Sequence, residues 1–206
     1  MILRRYAKRI PVTALLLVTN VALFGLGLLP GLRRLLLEHF MLFPPQTRAF
    51  ESWQYFTHAF LHADETHLFL NMLGLLIFGR VVEWALGSGR FAVLYVVAVF
   101  GAAFTQTYLN QLLGFPVRPM LGASGGVYGV VLCYAMLFPK RKIVILPLPI
   151  PMSAPLVAAG MAAIALFLGL TQPNGGVAHF AHLGGMLFAL PLVLFWRDAG
   201  RVRRVR

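Results

Sequence analysis

Residues 122–138 read Gly-Ala-Ser-Gly-Gly-Val-Tyr-Gly-Val-Val-Leu-Cys-Tyr-Ala-Met-Leu-Phe, with no charged side chain and with Ser124 set among small residues at the start. The run is apolar enough for a bilayer, so a nucleophile-type residue stands at membrane depth. The whole chain shares this character. It has 206 residues, of which 59% are hydrophobic and 12% charged, and a mean hydropathy of +0.79. A soluble domain averages about half apolar and about a quarter charged. The chain therefore reads as an integral membrane protein, and spans of about 20 residues leave no room for a large soluble domain.

Working outward from 122–138, charges, Pro and Gly divide the apolar sequence into six expected spans, at about 11–29, 66–86, 91–113, 123–138, 144–170 and 177–196. The fold expected is an all-α, polytopic six-helix bundle over 11–196, with tails at 1–10 and 197–206. More spans follow the first run, which marks it as a retained helix and not a signal peptide. The fifth run carries Pro147, Pro149, Pro151 and Pro155 near its start. Each Pro removes an N–H and restricts its predecessor, which predicts a short extended lead-in and a helix from about Ala154. Cys133 is the single cysteine, so there is no disulfide framework or Cys-rich metal site, and it reads as a small core residue.

The formal charge of +12 would suggest nucleic acid in a soluble protein. Here Lys and Arg resist translocation, and a cytoplasmic N-terminus places most of them on one side. Arg4, Arg5, Lys8, Arg9, Arg80, Arg90, Lys140, Arg141, Lys142, Arg197, Arg201, Arg203, Arg204 and Arg206 fall inside, with Glu83 and Asp198. Only Arg33, Arg34, Arg48 and Arg118 fall outside, balanced by Glu38, Glu51, Asp64 and Glu65. Topology and anionic lipid thus account for the charge, and no nucleic-acid partner is needed. The outer connection, about 30–65, mixes charges with Phe40, Phe43, Phe50, Trp53, Tyr55 and Phe56, a composition suited to the membrane interface.

Polar residues in the spans form three groups: His67 with Asn71, Ser124 with Tyr128, and His179 with His182. Spacings of three and four put each pair on one helix face. All three fall at the outer ends of the second, fourth and sixth spans. A serine, an imidazole and an amide at matched depth are the parts of an acyl-transfer site. Gly122, Gly125 and Gly129 allow close helix approach, and the Ser124 N–H at a helix start is free to act as an oxyanion donor. Each group alone has another reading: small-residue packing, a helix–helix hydrogen bond, or a proton relay or metal pair. A metal site is disfavoured, because the nearby acids are only Asp64 and Glu65.

In order and spacing, Trp53 to His62 (WQYFTHAFLH), His67 to Asn71 (HLFLN), Gly79 to Gly87 (GRVVEWALG) with Arg90, Phe91 and Tyr95, Gly122 to Tyr128 (GASGGVY) and Ala181 to Gly185 (AHLGG) resemble the rhomboid intramembrane serine proteases. The resemblance runs from Trp53 to Trp196. It implies that Ser124 is the nucleophile and His182 the base of a Ser-His dyad, with Asn71, His67 and the Ser124 N–H at the oxyanion. Tyr128 would pack on His182, Gly122, Gly125 and Gly185 would support close approach, and His179 would be a neighbour. No cofactor or metal is implied. The expected partners are the lipid bilayer and single-span membrane substrates, in a bacterial inner membrane with both termini cytoplasmic. Met161, Ile164, Phe167 and Leu168 are candidate lateral-gate side chains, and 171–176 (TQPNGG) a candidate cap. One departure is Trp53-Gln54, where the family often has Trp-Arg, which puts a loop-anchoring basic residue in doubt. A rhomboid-like protein that binds transmembrane helices without cutting them is the alternative. A proton or solute transporter is a third reading, disfavoured by the lack of acids in the spans beyond Glu83.

Overall fold

The computed structural model describes residues 10–145, 148–200 and 202. Eight of the cations expected inside (Arg4, Arg5, Lys8, Arg9, Arg201, Arg203, Arg204 and Arg206) lie outside these residues, and with them most of both expected tails.

Helix α1 (Pro11–Leu26) opens on a proline at its first turn, where a missing N–H costs nothing. Its next amides are capped from elsewhere: Val12 N–H and Thr13 N–H donate to the two carboxyl oxygens of Glu83, at 3.0 and 2.8 Å. The one acidic residue expected deep in a span thus satisfies a helix start, and it is buried at 1% exposure. Helix α2 (Leu32–Phe40) is amphipathic, with Leu36 buried and an exposed Arg34–Glu38 ion pair on its other face. A four-residue helix α3 (Gln54–Thr57) and a 3-10 turn (His58–Phe60) follow.

The long outer connection is therefore folded. Gln54 is wholly buried and ties it together: its side-chain oxygen accepts from Phe43 N–H at 3.1 Å and its amide donates to the Ala49 carbonyl at 2.9 Å. Trp53 Nε1–H and the Thr57 hydroxyl donate to the carbonyls of His39 and Phe40. A neutral amide anchors the loop at the position where the sequence departs from the family pattern.

Helix α4 (Glu65–Leu86) starts under an Asp64 cap whose carboxylate accepts from His67 N–H at 2.8 Å. A π-helical turn over Leu75–Gly79 interrupts it, an insertion the periodicity did not predict. Gly87, at φ +81°, breaks the chain between α4 and α5 (Ser88–Leu112). Helix α6 (Ser124–Leu137) has 14 residues and rises about 21 Å, well short of a bilayer core of about 30 Å. It is buried along most of its length, packed on by α4, α5 and its later neighbours.

Strands β1 (Lys142–Ile145) and β2 (Leu148–Ser153) form an antiparallel hairpin in register Lys142–Ser153, Ile143–Met152 and Val144–Pro151. The extended lead-in expected before Ala154 is the second strand of this hairpin, an addition to an otherwise helical fold. Helix α7 (Ala154–Thr171) begins at the expected residue, and α8 (His179–Asp198) closes the bundle on α5 and α6.

Four of these helices, α4, α5, α7 and α8, are long and apolar enough to cross a membrane, and α1 and α6 are shorter apolar helices. Together these six apolar helices match the six expected segments, two of them shorter than a full span. Helix α6 need not reach both surfaces because protein, not lipid, surrounds it. Helix α7 is the most peripheral, with 28% of its apolar window buried against 39–44% in the other three. It packs on α6, α8 and the hairpin.

Glycines let the central helices touch. A Cβ at Gly185 would meet the Gly125 carbonyl, one at Gly184 the Gly101 carbonyl, and one at Gly125 the Ala102 methyl. Without a large hydrophobic drive between helices in lipid, such backbone approach supplies the packing.

Candidate active site

Ser124 is the first residue of α6, and His182 lies one turn into α8. The contact between Gly125 and Gly185, each near one of these residues, brings them together. His182 Nε2 and Ser124 Oγ are 2.9 Å apart, a hydrogen-bond distance. Tyr128, one turn below Ser124, stacks on the imidazole with centroids 4.2 Å apart and planes 8° from parallel. Ser124, Tyr128 and His182 are all half-buried, so the pair is held by packing yet reachable. Among the described residues no carboxylate hydrogen-bonds His182, and its ring is stacked on Tyr128. Gln106 fixes that helix by accepting Ala181 N–H at 3.0 Å. His179 flanks His182 edge-on, with centroids 6.1 Å apart.

Asn71 reaches this depth from α4. Gly74 faces Val127, where a Cβ would lie 2.8 Å from Val127 Cγ1. Asn71 and Gly74, three residues apart, share a face of α4, the stretch of that helix that meets α6. One amide hydrogen of Asn71 is donated to the His67 carbonyl at 2.9 Å, and the other is left for a second acceptor. The His67 ring lies over Gly122, where a Cβ would stand 2.7 Å from Cε1. Gly122, at φ +122°, adopts backbone favoured by glycine, and its N–H donates to the His58 carbonyl at 2.9 Å. The three polar groups, Ser124 with Tyr128, His179 with His182, and His67 with Asn71, thus lie at one end of the bundle, with Gly122, Gly125 and Gly185 at the close contacts.

Two further histidines lie behind His67, outside the spans. His58 is buried, with Nδ1 2.9 Å from the Gln54 carbonyl, and desolvation pushes its pKa down to about 4. His62 is pushed to about 4 by burial and by His67, partly offset by Asp64. Its ring meets that of His67 edge-on at 5.0 Å. Among the described residues no three His, Cys, Asp or Glu side chains converge as a metal site would require. Of the gate candidates, Ile164 and Phe167 are 60% and 64% exposed, while Met161 and Leu168 are half-buried. The 171–176 connection is tied to the loop before α6, since Arg118 donates to the Asn174 carbonyl at 3.3 Å. Gln54, Gln106 and Glu83 had no place in the sequence-based site. The signal for Gln106 was an amide deeper in the apolar α5 than Asn110 and Gln111 near its end.

A family description, Rhomboid domain, matches residues 49–198. The chain belongs to the rhomboid family. It is 35% identical to Rhomboid protein 1, mitochondrial, of Saccharomyces cerevisiae over 177 residues, which are 85% of this chain and 50% of that protein. It is 27% identical to Rhomboid protease GlpG of Klebsiella pneumoniae over 197 residues, 94% of this chain and 66% of that one. Rhomboid-related protein 3 of Homo sapiens matches at 33% over 95 residues, 46% of this chain and 22% of the relative. The chain thus spans half to two-thirds of the length of the first two relatives. The rhomboid match takes in the Ser124 and His182 helices, the hairpin and the Gln54 loop, and it begins after α2. Like the family, this rhomboid is an integral, multi-pass helical membrane protein.

Proposed function

We propose that this rhomboid is an intramembrane serine endopeptidase that cleaves transmembrane segments of single-span proteins near the outer leaflet. The observation that carries the reading is the 2.9 Å contact between Ser124 Oγ and His182 Nε2 under the parallel ring of Tyr128. A buried ion pair or a packing serine needs no such stacked imidazole.

In this reading Nε2 takes the Ser124 proton as Oγ attacks the scissile carbonyl carbon. The carbonyl oxygen becomes negative and is met by the Ser124 N–H and the unused Asn71 amide hydrogen, with His67 close by. His182 returns the proton to the leaving amine, and the C–N bond breaks. Water then attacks the acyl ester, gives its proton to Nε2, and Ser124 leaves with it. Tyr128 keeps the ring aligned, as a carboxylate does in soluble triads.

Substrate would enter laterally past α7, the least buried long helix, with 171–176 as the cap. The basic residues at the opposite end, among them Lys140, Arg141 and Lys142, support a cytoplasmic placement of that end and an outward-facing site in a bacterial cell membrane. The test is labelling by a fluorophosphonate probe together with cleavage of a reconstituted single-span substrate. Both are expected in the wild type and lost in Ser124→Ala and His182→Ala. A folded wild-type protein that neither labels nor cleaves overturns the reading.

A further inference from the structure

A helix that crosses a bilayer fixes the depth of whatever is attached to its end. Helix α7 has 18 residues and rises about 27 Å, close to a hydrocarbon core of about 30 Å. Its far end runs into 171–176, which is tied to the loop before α6, so Ala154 and the β1–β2 hairpin stand at the opposite membrane boundary. The attachment is direct: Ala154 N–H donates to the Arg141 carbonyl at 3.0 Å, and both strands pack on α7.

The two faces of the hairpin differ. Residues paired across an antiparallel ladder share a face, and neighbours along a strand alternate. Ile143 and Met152 form a half-buried face, with Ile143 against the main core. Lys142, Val144 and Pro151 lie on the other face, and all three are exposed. Val144 at 51%, Ile150 at 58% and Leu156 at 59% exposure carry an apolar surface into the first turn of α7. Beside it stand the consecutive exposed cations Lys140, Arg141 and Lys142, with the Arg141 guanidinium 5.4 Å from the Phe138 ring centroid. None of the three is in an ion pair among the described residues. The acids at this end are committed elsewhere, Glu83 to the amides of α1 and Asp198 to Arg197.

One partner matches both halves of this patch. Acyl chains cover exposed aliphatic side chains, and anionic headgroups at the boundary meet the cations. A further strand is a poor fit, because Pro149 and Pro151 offer no N–H to extend the ladder. We propose that the hairpin is a binding site for anionic phospholipid, in which Val144 and Ile150 enter the acyl boundary and Lys140, Arg141 and Lys142 hold the phosphates. Bound lipid then fastens the hairpin end of α7. An excess of cations on one side orients a membrane chain without any such structure; here a folded element with an apolar face gathers the lipid at one place. The inference is independent of catalysis.

The experiment titrates the full chain in detergent with phosphatidylglycerol or phosphatidylcholine. Native mass spectrometry reads the lipid retained, and hydrogen exchange reads the backbone over 140–158. Wild type is compared with the triple variant Lys140→Gln, Arg141→Gln, Lys142→Gln, with the double variant Val144→Ser, Ile150→Ser, and with Arg48→Gln, an exposed cation at the other end. Wild type and Arg48→Gln are expected to hold phosphatidylglycerol about tenfold or more tightly than phosphatidylcholine, with slowed exchange over the hairpin and the first turn of α7. The triple variant should lose both the preference and the slowing. The double variant should keep the preference and hold both lipids more weakly. Unchanged exchange over α5 and α8 shows that each variant is folded. A triple variant that keeps the preference, or phosphatidylglycerol that leaves exchange over 140–158 unaltered in the wild type, overturns the proposal. A hairpin protected without lipid in a dimer assigns the face to a second copy and overturns it too.

Discussion

The α-carbon of Gly185 lies against the carbonyl of Gly125, close enough that a methyl group on Gly185 would overlap backbone. Backbone cannot turn aside as a flexible side chain can, so the two helices that carry Ser124 and His182 must separate to admit it. Gly185→Ala is expected to destabilise the protein by about 1–3 kcal/mol and to lower probe labelling by about a hundredfold, as the 2.9 Å contact opens. Thermal unfolding and labelling rate check this together; an unaltered labelling rate would show that the glycine contact does not set the Ser–His distance.

Tyr128 acts through its ring. Tyr128→Phe keeps the stack on His182 and should label within about threefold of wild type. Tyr128→Ala removes it, and labelling should fall by about two- to tenfold beyond the Tyr128→Phe value, since an aromatic pair contributes ~0.5–1.5 kcal/mol beyond buried area. Equal losses in the two variants would assign the role to the hydroxyl.

Glu83 tests fold separately from site. Glu83→Ala leaves two amides at the start of α1 without acceptors, at a cost of about 1–3 kcal/mol, while Glu83→Gln keeps one acceptor and should lie between. The unfolding midpoint should drop in that order, with the labelling rate of the folded protein unchanged. A large loss of labelling in a folded Glu83→Gln protein would contradict a purely structural role.

Stability should also fall with acid. His58 titrates near 4 in the folded chain against 6.5 for the free side chain, so between these values the unfolded state binds more protons. Its effect is absent above pH 6.5, grows as pH falls, and levels off below about 4 at about 3 kcal/mol of lost stability. His62 shifts in the same direction and adds to the loss. Unfolding midpoints from pH 7.5 to 4 should decline more gently in His58→Gln than in wild type.

The path past α7 makes its own prediction. A cross-link that fixes α7 to α4 should abolish cleavage of a transmembrane substrate while leaving labelling by the small fluorophosphonate within about threefold. Cleavage that survives the cross-link would exclude lateral access there.

The candidate site was legible in the sequence because its polar residues come in short spacings. Ser124 with Tyr128, and His67 with Asn71, share helix faces whatever the tertiary detail, and Gly-rich steps mark where helices meet. The start of α7 at Ala154 was likewise written in the preceding prolines. Three features were not legible. Hydropathy cannot tell a helix buried in protein from one bathed in lipid, so the enclosure of the 14-residue α6 by its neighbours did not show. The π turn at Leu75–Gly79 costs little and has no residue signature. Gln54 looked like the loss of an anchor, because a motif shows which residue is missing and not which hydrogen bonds its replacement makes.

Hydrophobic matching constrains a helix only where lipid touches it. Helix α6, 14 residues long and buried along most of its length, meets less lipid than α7, so a change in bilayer thickness bears less directly on it than on the outer α7. Ser124 thus stands on a helix largely shielded by protein, while His182 stands on one whose apolar window is less than half buried. Under the proposed mechanism, bilayer thickness would act on the Ser124–His182 distance chiefly through the histidine's helix.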